Sequence, residues 1–108
     1  MLERAFLFDC AGEQLPAILH APEAPHATGV LIVVGGPQYR VGSHRQFVHL
    51  ARALASAGYP VLRFDVTGMG DASGATRDFE HIDADIAAAT ERFYAEQAGL
   101  TRVVLWGL

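Results

Sequence analysis

The run Gly29-Val-Leu-Ile-Val-Val34 constrains the fold of this chain more than any other segment. It shows no alternation of apolar and polar residues, which is the pattern of a strand buried on both faces of a parallel sheet. Hydrophobic residues make up 51% of the chain and charged residues 19%, as expected when strands are covered on both sides. We therefore expect an α/β fold with residues 29–34 as a central strand.

The segments around this run alternate between strand patterns and helix patterns. The predicted strands are residues 3–8, 15–20, 29–34, 61–65 and 102–106. The predicted helices are residues 43–57 and a second segment that is marked by Ile82, Ile86, Ala89 and Phe93. Asp9 to Glu13 suits a hairpin turn, whereas Pro16 weakens the start of the second strand. Apolar residues three and four apart indicate the helices, and Gly58 and Gly99 end them. The order predicts an antiparallel hairpin followed by βαβαβ, in a doubly wound, mostly parallel sheet.

Charge and apolar-run length exclude several classes of partner. The net charge of −4 gives no general attraction to nucleic acid or to anionic lipid. No apolar run approaches the length of a membrane helix, and the N-terminus lacks a signal-type apolar core. A single cysteine, Cys10, allows no internal disulfide, and its predicted place in the hairpin turn makes it inert. We expect a cytoplasmic protein without membrane insertion or a nucleic-acid partner.

The loop after residues 29–34 is a candidate oxyanion-stabilising segment, because doubly wound sheets bind ligands at the carboxyl ends of their strands. Gly35-Gly-Pro-Gln38 lets backbone amides approach a reacting oxygen, and Pro37 has no N–H, so Gly36 or Gln38 is the predicted donor. Tyr39 and Arg40 follow at the predicted pocket rim, where they either contact a substrate anion or are simply solvated. Taken alone, this segment is also consistent with an ordinary strand-to-helix turn.

A second loop follows residues 61–65 and is rich in glycine. Asp65-Val-Thr-Gly-Met-Gly-Asp-Ala-Ser-Gly74 could be mistaken for a dinucleotide fingerprint because it follows a strand. It fits poorly, since that strand is the second parallel one and the glycines do not run directly into a helix. Nucleotide binding through Gly68 to Gly74 is thus a minor alternative. A tight loop beside the other two is the favoured interpretation.

The third segment is Trp106-Gly107-Leu108, at the end of the last predicted strand. Gly107 stands where a nucleophile elbow needs a small residue two positions before the nucleophile. The nucleophile is then expected directly after Leu108, and no catalytic residue is expected within residues 1–108.

Together these segments resemble the α/β-hydrolase superfamily over nearly the whole chain. The segments Gly35-Gly-Pro-Gln-Tyr-Arg-Val-Gly-Ser-His-Arg45 and Leu62-Arg-Phe-Asp-Val-Thr-Gly-Met-Gly-Asp71 resemble, more narrowly, hydrolases that accompany exosortase A systems. The resemblance implies strand order 1-2-4-3-5 and a Ser or Cys nucleophile, with an acid and a His from later strands. Val34 stands where many members carry the His of a His-Gly oxyanion motif.

The leading hypothesis is the N-terminal part of one hydrolase domain that ends just before the elbow and is inactive by itself. The whole enzyme would cleave an ester, thioester or amide of a small acyl substrate through an acyl-enzyme, without cofactor or metal. The histidines show no ligand spacing and are expected at the surface or in packing: His20, His26, His44, His49 and His81. The alternative is a non-catalytic doubly wound interaction module. Self-association through the exposed strand 102–106 is also expected.

Overall fold

The computed structural model describes residues 2–10, 12–34, 43–65 and 79–107. Its elements follow the predicted order. They are β1 (Leu2–Cys10), β2 (Glu13–Ala21), β3 (Thr28–Val34), α1 (Ser43–Ser56), β4 (Val61–Asp65), α2 (Phe79–Glu96) and β5 (Arg102–Gly107).

The opening hairpin is longer than predicted. Pro16 does not shorten β2, where it lies opposite Leu7 of β1. The stretch of β2 that pairs with β4 begins only at Ala17, so Pro16 has a strand neighbour on one side, where a missing N–H is tolerated. Gly12 makes the tight turn possible, because its φ of 85° is a conformation that favours glycine.

The prediction that Cys10 lies in the hairpin turn is wrong. Cys10 is the last residue of β1, and it is buried. Its Sγ lies 3.6 Å from the carbonyl oxygen of Ala84 in α2. The pairing of β1 with β2 continues to Cys10 and Glu13, which leaves a shorter turn than the sequence indicated.

The five strands form one mixed sheet in the order β1-β2-β4-β3-β5. β3 lies in the middle of the parallel part, with β4 on one side and β5 on the other. β2 runs antiparallel to both β1 and β4, and so joins the hairpin to the parallel strands. The strand order implied by the family resemblance and the central position of residues 29–34 are both confirmed.

The two helices pack on opposite faces of this sheet. Alternate residues of β3 belong to different apolar clusters, since Leu31 faces α2 and Ile32 faces α1. The α2 cluster includes Phe8, Leu15, Leu19, Leu62, Phe64, Ala89 and Phe93, and the α1 cluster includes Phe47, Ala51 and Val61. Strand alternation therefore supplies a core on each face, as a doubly wound sheet requires.

Gly29 marks a close approach between β3 and the end of α2. A Cβ at this position would lie 2.7 Å from both Leu100 Cδ1 and Phe93 Cζ, which is closer than carbon atoms pack. Phe93 and Leu100 thus fill the space that any other residue would need for its side chain.

The two edge strands of the sheet differ in charge. β1 carries Glu3, Arg4 and Asp9, and two of these side chains bind the helices. Arg52 of α1 donates two hydrogen bonds to the Glu3 carboxylate, at 2.8 and 3.1 Å, on one face. On the other face Arg4 pairs with Glu96 of α2. β5, in contrast, carries one charged residue, Arg102, at its start.

Candidate functional site

The carboxyl ends of the three parallel strands lie side by side. In the register of the sheet Val34 of β3 is opposite Asp65 of β4, and Val33 is opposite Gly107 of β5. Neighbouring strands are about 4.8 Å apart, so the chain leaves all three strands within roughly 10 Å. Ligands bind at this edge in doubly wound sheets, where the connections diverge to opposite faces. We call this edge, formed by Val34, Asp65 and Gly107, the carboxyl edge.

The predicted site residues follow directly from this edge. Gly36, Gln38, Tyr39 and Arg40 lie between Val34 and α1, outside the described residues. The glycine loop from Gly68 to Gly74 and the position after Leu108 lie outside them as well. The structure gives the strand ends from which these segments start, and the predicted roles stay predictions.

Helix α1 is held against the carboxyl edge through its buried face. Phe47, one turn from the helix start, is 3% exposed and packs in the same cluster as Ile32 of β3. Its ring also meets the ring of Trp106 in β5 at a centroid distance of 5.8 Å and an angle of 76°. This edge-to-face contact is a favoured aromatic geometry. The start of α1 is thereby tied to the two strands that precede the predicted oxyanion segment and the predicted elbow.

A polar cluster whose His20 and Arg63 are buried lies away from this edge, toward the opposite end of β4. His20 of β2 is buried and lies opposite Val61, the first residue of β4. Its Nδ1 is 2.9 Å from Glu3 Oε2, and Arg63 Nε donates to its Nε2 at 3.0 Å. Asp65 is four residues along β4 from Val61, about 13 Å away by strand rise. We call Glu3, His20, Arg52 and Arg63 the polar cluster.

The charge state of the polar cluster follows from these contacts. An arginine Nε–H can only donate, so Nε2 of His20 accepts and the ring proton is on Nδ1, directed at Glu3. Burial, followed by the positive charge of Arg63, holds the pKa of His20 below 6.5 and keeps the ring neutral. The hydrogen bonds from Arg52 lower the pKa of Glu3 from 4.5 to about 2.

The His20–Glu3 pair resembles the His–carboxylate pair of a catalytic triad, but it cannot act as one. A general base needs an unprotonated nitrogen facing the proton that it removes. The acceptor nitrogen of His20 already receives the Arg63 hydrogen bond and is buried. The polar cluster therefore joins β1, β2, β4 and α1, in agreement with the prediction that His20 is a packing residue.

Sequence reasoning missed the polar cluster as a unit. One signal was available: Arg63 interrupts the otherwise apolar start of the strand Val61-Leu-Arg-Phe-Asp65, and a buried arginine needs acceptors. Its partner His20 is 43 residues away in the chain, however, and only the strand register identifies it.

The remaining described histidines and acids suggest no second site. His26 packs against Tyr59 at a ring distance of 4.6 Å, and His49 is exposed on α1. Within residues 2–10, 12–34, 43–65 and 79–107, no three His, Cys, Asp or Glu residues cluster as metal ligands do. Neither described helix has the length and apolar character to cross a membrane.

Comparison with known proteins places these features in a family. The family model for the alpha/beta hydrolase fold matches residues 29–108, from the central strand through β5. Human protein ABHD12B is 32% identical over 78 residues, which cover 72% of this chain and 20% of that protein.

Two bacterial structures show the same arrangement over longer chains. An alpha-beta serine hydrolase homologue from Coxiella burnetii has a TM-score of 0.80 at 20% identity, covering 97% of this chain and 51% of that one. XC6422 from Xanthomonas campestris, an α/β serine hydrolase without lid, has a TM-score of 0.76 at 26% identity, covering 98% and 50%. The chain thus spans about half the length of these solved structures and about a fifth of the human protein.

Proposed function

The chain belongs to the α/β-hydrolase fold family, and we propose that it is the N-terminal part of a serine- or cysteine-type acyl hydrolase. The whole enzyme would cleave an ester, thioester or amide through an acyl-enzyme intermediate. Its nucleophile would follow Leu108 directly, and its acid and His would come from later strands. On this proposal residues 1–108 are inactive by themselves, because they contain one side of the site.

The adjacency of β3 and β5 is the observation that carries this proposal. The predicted oxyanion segment starts after Val34 and the predicted elbow includes Gly107, and these strands are hydrogen-bonded neighbours. An acyl transfer needs an amide donor across from the nucleophile, a second donor from the residue after it, and both within about 3 Å of the developing oxyanion. Neighbouring parallel strands with aligned carboxyl ends bring two such segments together.

The amide of Gly36 or Gln38 is the proposed first donor. A backbone amide suits this role because its position is fixed by the loop and needs no reorganisation as the oxyanion forms. Val34 offers no imidazole at the position where many family members have one, so more of the stabilisation falls on the amide. Tyr39 and Arg40 are the proposed substrate-binding rim, and a guanidinium there suits a carboxylate or phosphate group on the substrate.

A nitrophenyl-ester assay tests whether residues 1–108 contain only one side of the active site. We expect no turnover by residues 1–108, and turnover by a longer chain that includes the segment through the downstream His. Replacing the residue after Leu108 by Ala in the longer chain should abolish the burst of acyl-enzyme formation. Turnover by residues 1–108 would contradict the proposal.

Proline substitution tests the amide donors in the active longer chain. Removing one oxyanion donor lowers kcat by about 100-fold or more, and proline removes an N–H while alanine keeps it. We expect this loss from Gly36→Pro or from Gln38→Pro, but not from the control Gln38→Ala. If both proline variants fold and keep full kcat, neither amide is the donor.

The second candidate function is a non-catalytic doubly wound module for protein association. The exposed apolar side chains of Val104, Leu105 and Trp106 in β5 favour it. The two functions differ in the residue that follows Leu108 in the gene. Ser or Cys there, with Gly two residues later, supports the enzyme, and any other residue supports the module.

Two finer proposals rest on the sequence. The segments Gly35–Arg45 and Leu62–Asp71 favour the hydrolases that accompany exosortase A systems over other branches of the family. The single cysteine favours a reducing compartment, the cytoplasm. Genes for exosortase A beside the parent gene, and fractionation of the tagged protein, test these two proposals separately.

A further inference from the structure

The polar cluster joins the opening hairpin to the parallel part of the sheet through one histidine. His20 of β2 lies opposite Glu3 of β1 and opposite Val61 of β4. Val61 belongs to the apolar cluster under α1, so His20 lies on the face that this helix covers. Arg63 is two residues beyond Val61 on the same face, a diagonal separation that a long side chain can span. A single buried ring therefore contacts side chains of both neighbouring strands.

Both ring nitrogens of His20 are engaged, and their roles differ. Nδ1 lies 2.9 Å from Glu3 Oε2, and Nε2 lies 3.0 Å from the donor Nε of Arg63. An ionised carboxylate can only accept a hydrogen bond, and a guanidinium N–H can only donate one. The two contacts together require a neutral ring with its proton on Nδ1. The surroundings of His20 thus match one protonation state and one tautomer.

A proton on Nε2 of His20 would place a second donor where the structure needs an acceptor. It would point at the Nε–H of Arg63, a residue that is 8% exposed and keeps its positive charge. The carboxylate of Glu3 faces the other ring nitrogen, and it already accepts two hydrogen bonds from Arg52. The charged groups around His20 in the described part of the chain are therefore Glu3 from β1, Arg63 from β4 and Arg52 from α1.

We propose that His20 makes the pairing of β2 with β4 sensitive to acid, because one proton added to its Nε2 breaks the hydrogen bond from Arg63. The proton comes from solvent, and no covalent bond other than N–H changes. The affected pairing is short, since β2 pairs with β4 from Ala17 to His20 but with β1 along all 9 of its residues. His20 lies at the end of the short pairing, where β4 begins. Loss of the Arg63 contact should therefore open the pairing of β2 with β4 before it opens the hairpin.

The direction of the pH effect follows from the burial of the ring. Burial, followed by the charge of Arg63, holds the pKa of His20 below 6.5, so the opened pairing binds the proton more readily than the closed one. The His20 contribution is then fully present above pH 6.5 and is lost as pH falls below it. The contribution of Glu3 is retained down to pH 4.5, and both arginines stay charged. Between pH 6.5 and 4.5 His20 is thus the member of the polar cluster that changes charge.

Amide hydrogen exchange of the full-length chain, followed from neutral to mildly acidic pH, tests the proposal. In wild type the protection factors of the amides that join β2 to β4, corrected for the intrinsic exchange rate, should fall below pH 6.5 by up to about tenfold per pH unit. His20→Gln keeps an acceptor that Arg63 can reach but does not titrate in this range, so its protection factors should stay constant. Amides between β3 and β5 should keep their protection in both proteins, because these strands lie beyond β4 in the sheet.

His49→Gln is the matched control, because His49 is an exposed histidine of α1 outside the polar cluster. It should leave the pH dependence of wild type in place. Protection that does not change with pH in wild type would overturn the proposal. An equal loss in wild type and His20→Gln would do the same, and so would a pH dependence that His49→Gln removes.

Nitrogen NMR of the histidine rings is a second measurement, and it does not need the His20→Gln variant to fold. At neutral pH the His20 ring should be uncharged with its proton on Nδ1, and its titration midpoint should lie below pH 6.5. Arg63→Met removes the facing charge but keeps a long apolar side chain, so the midpoint should rise. A proton on Nε2 at neutral pH, or a midpoint that Arg63→Met leaves unchanged or lowers, would contradict the proposal. None of these outcomes depends on hydrolase activity.

Discussion

The two edge strands of the sheet, β1 and β5, differ in the side chains that accompany their unpaired backbone groups. An edge strand has a row of backbone groups that a further strand can bind. At β1 this row is accompanied by charged side chains, and the strand is fixed to α1 through Glu3 and to α2 through Arg4. At β5 the row is accompanied by Val104, Leu105 and Trp106, each more than two-fifths exposed.

This difference shows how each edge strand is held by the described part of the chain. Ion pairs on both faces of β1 stabilise the strand where it lies and make strand addition unfavourable. The residues of β5 have the composition of an interior strand, since a strand covered on both faces reads as a continuous apolar run. The two edges thus differ in their charged contacts, although β1 also exposes the apolar side chains of Leu2 and Leu7.

Proline substitution at two adjacent positions of β5 should distinguish backbone N–H groups that face β3 from those that face outward. It is expected to change the unfolding free energy more than the other substitutions do. The N–H of Val104 faces β3, so Val104→Pro removes a ladder hydrogen bond and should cost about 3 kcal/mol or more of unfolding free energy. The N–H of Leu105 faces outward, so Leu105→Pro should cost about 1 kcal/mol or less. Urea unfolding at a protein concentration that keeps the chain monomeric measures both.

The size of the difference between the two variants is the informative quantity. The N–H of Arg102 donates to the carbonyl oxygen of Ala27, so alternation along the strand directs the N–H of Val104 to β3 and that of Leu105 outward. Equal destabilisation would mean that the backbone of β5 does not alternate in this way. Leu7→Pro makes the same substitution on the other edge strand, β1. Its unfolding free energy can be compared with those of the β5 variants at a position that is already opposite a proline, Pro16, in the hairpin register.

Most of the fold could be predicted because local patterns determine it. The apolar run 29–34 predicts a central strand, and β3 is central. Spacing of three and four residues predicts both helices to within a few residues at each end. The strand order could be predicted only from the family resemblance, because apolar periodicity does not show which parallel strand pairs with the hairpin. The effect of Pro16 was overestimated, because tolerance of proline depends on which neighbour a strand position has.

The contacts of the polar cluster could not be predicted from local patterns. Glu3 and Arg52 are 49 residues apart, and Arg63 meets His20 across 43 residues. These pairs exist because the register of β1, β2 and β4 aligns them, and a shift of one residue would move each side chain to the other face. The proposed roles of Gly36, Gln38, Tyr39 and Arg40 concern residues outside the described ranges, and they stay predictions.

The polar cluster should make the stability of β1 depend on pH. The pKa of Glu3 is lowered from 4.5 to about 2, so the unfolded chain binds this proton more readily than the folded chain. The contribution is then fully present above pH 4.5 and is lost as pH falls toward 2. The Glu3 side chain is 31% exposed, so solvent screening reduces it to about 1 kcal/mol.

Glu3→Gln isolates this contribution. At pH 7 the variant should unfold at a free energy about 1 kcal/mol lower than wild type, and the difference should shrink between pH 4.5 and 2. In wild type the protection factors of the β1 amides, which are corrected for the intrinsic exchange rate at each pH, should be lower at pH 3 than at pH 6. β5 carries no acidic residue and no histidine, so its amides should serve as the internal control. A constant difference at all pH values would contradict the assignment.

The smallest expected effect concerns the contact of β1 with α2. Glu96 accepts hydrogen bonds from both Arg4 and Arg92, and the first of these is the main cause of its lowered pKa. Both guanidinium groups also lie near the Phe6 ring, at 5.1 and 5.0 Å from its centroid. The arginine side chains are 43% and 39% exposed, so the ion pairs are screened. Glu96→Gln should therefore cost only about 0.5 kcal/mol, and less in 1 M salt.

Arg102→Gln on β5 is the matched control, because Arg102 makes no ion pair with any residue in the described ranges. This substitution should change the unfolding free energy by close to zero at both salt concentrations. Phe6→Leu keeps an apolar side chain but removes the ring face, so its cost should persist in salt if packing dominates and fall if the cation–π attraction dominates. Equal salt dependence for Glu96→Gln and Arg102→Gln would mean that charge does not distinguish the two edges. The protection of β1 would then rest on the polar cluster alone.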